Sequence, residues 1–598
     1  METLRNPTEI LKTLSEKSKD KSYKFQRLYR NLYNPEFYLL AYKNISKNQG
    51  SMTAGTDGKT IDGMSMDRIE MIISKLRDHS YHPNPARREY IAKKNSNKMR
   101  PLGIASSDDK LVQEIVRMIL ESIWEGNFSN NSHGFRPKRS CHTALKHIDI
   151  NFKGAKWFIE GDIKSCFDCF DHHVLISALR KRIDDEYFIS LIWKFLKAGY
   201  MEQWNYHSTY SGTPQGSGVS PILANIYLDM LDEFIEEYKI RFDKGVSKNR
   251  KINPEYTKKQ GEYFKACKDN ETSSRTLKEL RWNYLKTPYY SAFDTNFKRI
   301  QYCRYADDFI IGVIGSKKDA ERIKEDICIF LSEKLKLTLS ETKTKITHTS
   351  NFARFLGYNI TISRSQSVKR DKNGILKREF NGRVMMYVPK EKWVGKLLEY
   401  KAMKIVKDKD GKEIWKTMHR GKLINLPDIS IISRYNSEIR GLYNYYYMAN
   451  NVSVLNKFYY IMEYSMYKTF AGKYRTTMSK MIDKYKKNNV FTVPYDTKSG
   501  IKYCEFYHDG FRRKKQTSLD IDTMPAYRQY ERPNYLALRL KSGKCELCKC
   551  QSKALIMHHI RELKELSGNF EWENIMLNKR RKSLAVCKDC FDYICSKK

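Results

Sequence analysis

The sequence predicts a multidomain α+β protein, and three observations carry that reading. At 598 residues the chain outgrows a single hydrophobic core, so about three or four domains are expected. Short runs of aromatic and branched residues, as in Trp157–Ile163 and Gln301–Ile311, have the composition of strands. They alternate with segments whose apolar residues recur at helical spacing, such as Leu111-Val112, Ile115-Val116, Ile119-Leu120 and Ile123. A cysteine-rich unit closes the chain, six of its 13 cysteines falling between Cys545 and Cys595.

Taken in order, the opening residues read as a helix to about Tyr42, and the Gly-rich stretch Asn48–Gly58 reads as a loop. Pro101–Ser107 leads to Asp108-Asp109, which fit the N-cap of the periodic helix that follows. Trp157–Ile163 is a short apolar strand with an acid, Asp162, near its end. Residues 241–295 are charged and weakly periodic, and read as an insertion between core elements. Beyond Leu356-Gly357-Tyr358 the chain turns Lys-rich, with a hairpin signal at Asp371-Lys372-Asn373-Gly374, and a new domain begins. Residues 430–490 are helical by the spacing of Ile431-Ile432, Tyr435, Ile439 and Leu442-Tyr443. Residues 491–540 are mixed and carry the basic cluster Arg512-Arg513-Lys514-Lys515. No internal repeat and no low-complexity tract is present.

The formal charge of +41, from 110 Lys and Arg against 69 Asp and Glu, calls for an extended polyanion as partner, nucleic acid before all others. An anionic membrane surface is the alternative, but no run of 18 apolar residues is available to span a bilayer. The first 30 residues carry Glu2, Glu9, Glu16 and Asp20 and no apolar stretch, unlike a secretory signal, so an intracellular, reducing compartment is expected. The cysteines cluster as metal ligands do, not as a disulfide framework.

The chemistry is suggested by Asp307-Asp308, set between two strand-like runs that read as the arms of a hairpin with the carboxylates at its turn. Nucleotidyl transfer uses two divalent ions roughly 3.5–4 Å apart, held by carboxylates from positions that fold together without being adjacent in sequence. Asp162 completes such a set if its strand lies beside the hairpin. An Asp-Asp pair alone is weak evidence in a protein this charged; its neighbours decide.

Those neighbours are ordered motifs: Arg87-Arg88 with Arg100-Pro101-Leu102-Gly103-Ile104; His133-Gly134-Phe135-Arg136-Pro137; Gly161–Asp168; Gly212-Thr213-Pro214-Gln215-Gly216 with Ser220-Pro221 and Asn225; Tyr305–Asp308; Leu339–Thr344; and Phe355-Leu356-Gly357-Tyr358. From about residue 20 to its end the chain resembles the multifunctional reverse transcriptases and maturases encoded by bacterial group II introns. The resemblance implies a right-hand polymerase of fingers and palm, an α-helical thumb or maturase domain, and a small ββα-metal-like zinc domain of the HNH type. It divides the chain into an extension and start of the fingers (1–80), fingers and palm (81–365, with the insertion at about 241–295), thumb and maturase (366–484), a DNA-binding region (485–540) and the zinc unit (541–598).

Roles follow from the resemblance, each backed by chemistry. Asp162 and Asp307 would be the principal ligands of two Mg²⁺ ions, with Asp308 beside them. Arg100 and Lys94 would meet the triphosphate; the usual Ile-Pro-Lys stands here as Ile91-Ala92-Lys93-Lys94, which leaves the choice between Lys93 and Lys94 open. Phe167 would sit beneath the sugar and exclude a 2′ hydroxyl, while Gln215 and Gly216 would lie against the nascent pair. The plainer readings are that Phe167 is a core aromatic, Arg100 a solvated cation and Asp168 a helix cap. Cys166, Cys169 and Cys303 read as small buried hydrophobes.

In the region resembling the maturase, Lys473 and Arg475 fit phosphate contacts, whereas Tyr445 and Tyr446 fit the packing of helices. At the tail, Cys545, Cys548, Cys587 and Cys590 have the spacing of a four-thiolate zinc site, with Cys550 a bystander. The HNH resemblance would make His559 a general base, His558 a metal ligand and Asn574 an orienting residue. The two histidines of the family pattern after the last cysteine pair are replaced by Phe591 and Cys595; Phe cannot ligate, thiolate suits Mg²⁺ poorly, and Asp592 points elsewhere on a helix. An intact zinc fold that binds DNA but cleaves weakly or not at all is expected.

The resemblance thus implies an RNA-directed DNA polymerase that copies intron RNA by target-primed reverse transcription and assists splicing. Its partners would be group II intron RNA, target DNA and deoxynucleoside triphosphates; a homodimer is compatible with it, and no membrane is needed. Its place would be the bacterial cytoplasm, at the nucleoid when on target DNA. Two alternatives are an RNA-binding splicing factor without polymerase activity and a standalone reverse transcriptase of defence type.

Overall fold

The computed structural model describes the chain apart from residues 1–4, 93–98, 203–204, 210, 213–216, 270, 292–293, 366, 371–372, 379–381, 498–499, 515–533, 553 and 598. An antiparallel sheet lies at its middle, in the order Arg299–Tyr305, Asp308–Ile314, Trp157–Asp162, Lys345–His348. Both faces of this sheet are covered, which is why its strands read as near-continuous apolar runs. Alternate residues serve different cores: Ile159, Phe309 and Ile311 enter one, and Phe158, Cys303 and Ile310 the other. The helices Ser107–Trp124, Ser220–Phe242 and Lys317–Lys334 supply the first core. Cys141–Asn151 and the helices Asp428–Tyr446 and Leu455–Lys473 supply the second.

The expected single opening helix is two, Pro7–Lys17 and Pro35–Ile45, with a 3₁₀ turn at Tyr29–Tyr33 between them. Each begins at an Asn-Pro step, Asn6-Pro7 and Asn34-Pro35, whose Asn side chain accepts from the N–H of the second helical residue, Thr8 or Glu36. The expected cap at Asp108-Asp109 shifts by a few residues. Ser106 is the N-cap, and Asp109 is instead drawn to the hydroxyls of Tyr81 and Ser106 and to the N–H of Asn84.

The stretch 241–295 contains two paired helices, Pro254–Lys268 and Ser274–Lys286. They meet through Tyr256, Tyr263 and Tyr284, a stripe too narrow to show as helical periodicity. The hairpin expected around residues 371–374 forms between Val368–Arg370 and Leu376–Arg378. Residues 430–490 are helical as expected, and the mixed region beyond them holds an antiparallel ribbon, Val490–Thr497 with Gly500–Glu505.

The cysteine-rich end packs against the beginning of the chain. Met64–Ser65 adds as an edge strand to Ile556–His559, which pairs with Ser583–Val586. Leu540, Met557, Trp572 and Ile594 join the same hydrophobic core as Leu39 and Tyr42. No helix among the described residues is long and apolar enough to cross a membrane.

Candidate active site and its polar framework

Tyr305 and Asp308 face each other as the last pair of the hairpin, leaving Ala306-Asp307 as a two-residue turn. Ala306 takes φ +57°, a conformation that such turns usually assign to Gly. Asp308 is also the cross-strand partner of Asp162, so the expected approach of Asp162 to the carboxylate pair is realised by strand register. Asp162 and Asp308 line a cleft of about 580 Å³ together with Lys343, Arg354 and Leu356.

The electrostatics of this cluster are those of a site short of positive charge. Burial, reinforced by Asp307 and Asp162, pushes Asp308 up to about 7. Burial raises Asp307 as well; Asp162 adds to the shift, while Lys343 and Arg100 oppose it. Arg100 is therefore within electrostatic reach of Asp307 while remaining exposed. Lys343 contacts both oxygens of Asp162, at 2.8 and 3.0 Å, from a largely exposed position. Hard carboxylate oxygens in excess over cations suit a divalent ion such as Mg²⁺. Lys343, within the motif Leu339–Thr344, is a site residue to which sequence reasoning gave no role.

The turn is held by a buried network. Arg304, fully buried, donates Nε and Nη2 to the two oxygens of Asp232 at 2.8 and 2.6 Å. Its Nη1 reaches the carbonyl of Ala306 at 3.1 Å and Oδ1 of Asn225 at 3.3 Å. Asn225 donates in turn to the carbonyl of Gly134 at 2.9 Å. Gly134 lies so close to the turn that a Cβ there would fall 2.3 Å from the nitrogen of Ala306. His133 donates its N–H to the carbonyl of Arg304, so the His133–Pro137 motif is laid along the strand that carries the turn. A forked, buried ion pair of this kind orients backbone as well as charge. Asp232, in mid-helix with no motif around it, gave no sequence signal.

Phe167 is half-buried between Phe135 and Phe170, with ring centroids 6.1 and 6.0 Å away. Phe135 takes φ +55° and stays partly exposed, extending the wall that Phe167 begins. Gly212, at φ +78°, touches the backbone of Phe167 and Asp168 so closely that no side chain fits. Lys93, Lys94, Gln215 and Gly216 lie outside the described residues.

On the other side of the cleft, Tyr445 and Tyr446 donate their hydroxyls to the carbonyls of Leu356 and Gly357, at 2.8 and 3.1 Å. These tyrosines pack the helical region against the Phe355–Tyr358 turn. Lys473 forms an ion pair with Asp428 and donates to the carbonyl of Leu426 at 2.7 Å, so its ammonium is engaged within the protein; Arg475 is exposed.

At the C-terminal unit the thiols of Cys545, Cys548, Cys550 and Cys587 lie within 4.8 Å of one another. The Cys590 thiol is near enough to interact with those of Cys587, Cys548 and Cys545, so five thiols gather there. Cys550 is no bystander to this cluster. Lys549 takes φ +65° and turns the chain back, which brings the Cys550 sulfur to 3.2 Å from that of Cys548. Tetrahedral Zn²⁺ with bonds of about 2.3 Å needs sulfurs roughly 3.8 Å apart, which this cluster meets with little movement.

Each of the expected nuclease residues has a partner of its own. His558 is fully buried, its Nδ1 3.1 Å from Asp62, and His559 is bonded to the hydroxyl of Tyr42. Asn574 is exposed and donates to the carbonyl of Gly568 at 2.9 Å. Phe591 packs on His558, while Asp592 and Cys595 are exposed on the last helix.

A family model described as reverse transcriptase (RNA-dependent DNA polymerase) matches residues 91–252 and 272–360. Its break falls within the helical insertion. The type II intron maturase model matches residues 381–520, and an AI2M/AI1M-like HNH endonuclease model matches 545–591. The chain is 44% identical over 599 residues to the group II intron-encoded protein LtrA of Lactococcus lactis subsp. cremoris, covering 98% of this chain and 99% of that protein. It is 36% identical to an uncharacterized 91 kDa protein in the cob intron of Schizosaccharomyces pombe, over 97% of this chain and 72% of that one. Protein YkfC of Escherichia coli is 35% identical over 58% of this chain and 86% of its own length.

Proposed function

The chain belongs to the family of group II intron-encoded reverse transcriptases and maturases, and on that premise we propose that it copies intron RNA from the 3′ end of a DNA strand at the insertion site. The observation that carries this reading is the register that faces Asp162 with Asp308 beside the Asp307 turn. In this reading the central sheet is the palm, the ribbon Ala86–Ala92 with Met99–Ile104 belongs to the fingers, and the helices beyond Asp428 form the thumb.

Asp162 and Asp307 would hold two Mg²⁺ ions, with Asp308 alongside; bound there, the ions offset the phosphate charge and lower the pKa of the attacking hydroxyl. Lys343, largely exposed where it meets Asp162, would offer its ammonium to the incoming triphosphate. Arg100 stabilises charge developing on the same phosphates. Phe167, supported by Phe135 and Phe170, closes the floor beneath the sugar and selects a deoxynucleotide.

The basic surface, Arg475 included, grips intron RNA through its phosphates. Zn²⁺ in the thiol cluster is structural in this reading, held by four of the five cysteines. The region after residue 485 meets target DNA, and the unit from 541 cleaves it weakly or not at all. The protein acts in the cytoplasm and, on its DNA target, at the nucleoid.

Purified protein with its intron RNA and a nicked target duplex tests the reading. Extension of the DNA 3′ end into intron sequence supports it. Splicing assistance without extension would support the polymerase-free alternative, and extension of any primed RNA with no preference for the intron would support the standalone one.

A further inference from the structure

Two adjacent histidines of the C-terminal unit, His558 and His559, are both buried, yet both are bonded to residues about 500 positions earlier in the chain. A general base must reach a water or a phosphate. His559 is 6% exposed and its Nε2 is taken by the Tyr42 hydroxyl; His558 is 0% exposed, with Nδ1 on Asp62. The other nitrogen of His558 has no hydrogen-bond partner among the described residues, and the ring packs against Trp572 and Phe591.

One carboxylate reads the whole pair, because Oδ1 of Asp62 also accepts from the backbone N–H of His559 at 2.8 Å. The next residues continue the contact. Gly63 donates to the carbonyl of Met557 at 3.1 Å, and Met64 and Ser65 pair with Met557 and Ile556. Gly63 sits at φ +75° with the Phe591 ring 3.5 Å from where a Cβ would stand, so the phenyl group that replaces a ligand in the family pattern fills the seam.

The same segment is fastened on its other side. Arg68 donates to the carbonyls of Thr60 and Asp62, each at 3.2 Å, and pairs with Asp108 at 2.7 Å. Thr53 accepts from Lys110, Ala54 accepts from Arg87, and Thr56 donates to the carbonyl of Pro85. Residues 53–65 are thus clamped between the C-terminal sheet and the start of the Ala86–Ala92 strand.

We propose that the histidine pair is a latch onto the chain's own amino-terminal segment, through which the C-terminal unit braces residues 53–65 against the strand ribbon of the polymerase half. The face that would present a cleaving base is given over to this contact. Burial of a polar group requires a partner, and Asp62 and Tyr42 provide it. The latch stands whether or not the polymerase reading holds, since it rests on contacts outside the carboxylate site.

Hydrogen exchange on the full-length protein tests it, with Asp62→Asn, which keeps the size of the side chain, and Tyr42→Phe, which removes a single hydroxyl. Losing a buried bond to a charged group speeds local opening by about tenfold or more. Faster exchange by that factor is expected at 556–559 and at 53–65 together, with 305–311 unchanged, in Asp62→Asn and to a smaller extent in Tyr42→Phe. Three results would overturn the proposal: faster exchange confined to 556–559, no change in either variant, or robust nicking of duplex DNA by the unaltered protein, which requires the histidines to meet solvent.

Discussion

Arg304 Nη1 donates to the carbonyl oxygen of Ala306, two residues ahead of it, across the base of the turn that carries Asp307. The guanidinium is fully buried, and its charge is met by Asp232. The hairpin tip is therefore set by a side chain anchored in the helix Ser220–Phe242, and a displaced anchor shifts the carboxylates. Arg304→Lys keeps the charge and loses the fork. An expected shift of this size lowers primer extension by about 10²-fold, raises the Mg²⁺ concentration needed for half-maximal rate, and leaves intron RNA binding unchanged. Mn²⁺ binding to the protein alone, followed by titration, weakens in parallel.

Gly134 offers a second lever on the same turn. A methyl group there would overlap the nitrogen of Ala306, and backbone cannot swing aside as a flexible side chain can. Gly134→Ala is expected to cost about 1–3 kcal/mol of stability and to abolish extension while the protein still binds RNA. Thermal unfolding and a filter-binding assay separate the two effects.

Asp229 gives the stability a pH dependence. Burial, with Asp232 and Glu233 adding repulsion, pushes its carboxyl up from 3.8 to about 7. Between those values the folded chain binds more protons than the unfolded one, so this residue's contribution falls as pH rises and stays unfavourable above 7. Asp229→Asn should raise stability at pH 8 by roughly 1–3 kcal/mol and change little at pH 4. Denaturant titrations at the two pH values check both the size and the sign.

Phe167 predicts sugar selection. Phe167→Val opens space beneath the sugar and is expected to relax discrimination against ribonucleotides by about 10- to 200-fold, with little loss of deoxynucleotide incorporation. Single-nucleotide extension with each triphosphate measures the ratio.

Much of the site was legible because its signals are local. The hairpin turn, the strand ending at Asp162 and the helices beyond Asp428 follow from period and turn chemistry over a few residues. Asp232 and Asp62 were not legible. Each is one carboxylate among many in a charged chain, and its partner lies 72 or about 500 residues away. The place of Cys550 turned on the positive φ of Lys549, which nothing about a lysine announces. The two tyrosines Tyr445 and Tyr446 were rightly read as packing groups, although the turn they hold, Leu356-Gly357, could not be named in advance.

The central claim is that Asp162, Asp307 and Asp308 form a phosphoryl-transfer site on this chain. Primer extension on an RNA template with Mg²⁺, comparing the unaltered protein with Asp307→Asn, tests it most directly. The account predicts robust extension by the former and a loss of at least about 10³-fold in the latter, with intron RNA bound equally by both. Extension that survives Asp307→Asn, or that is absent from the unaltered protein, would contradict it.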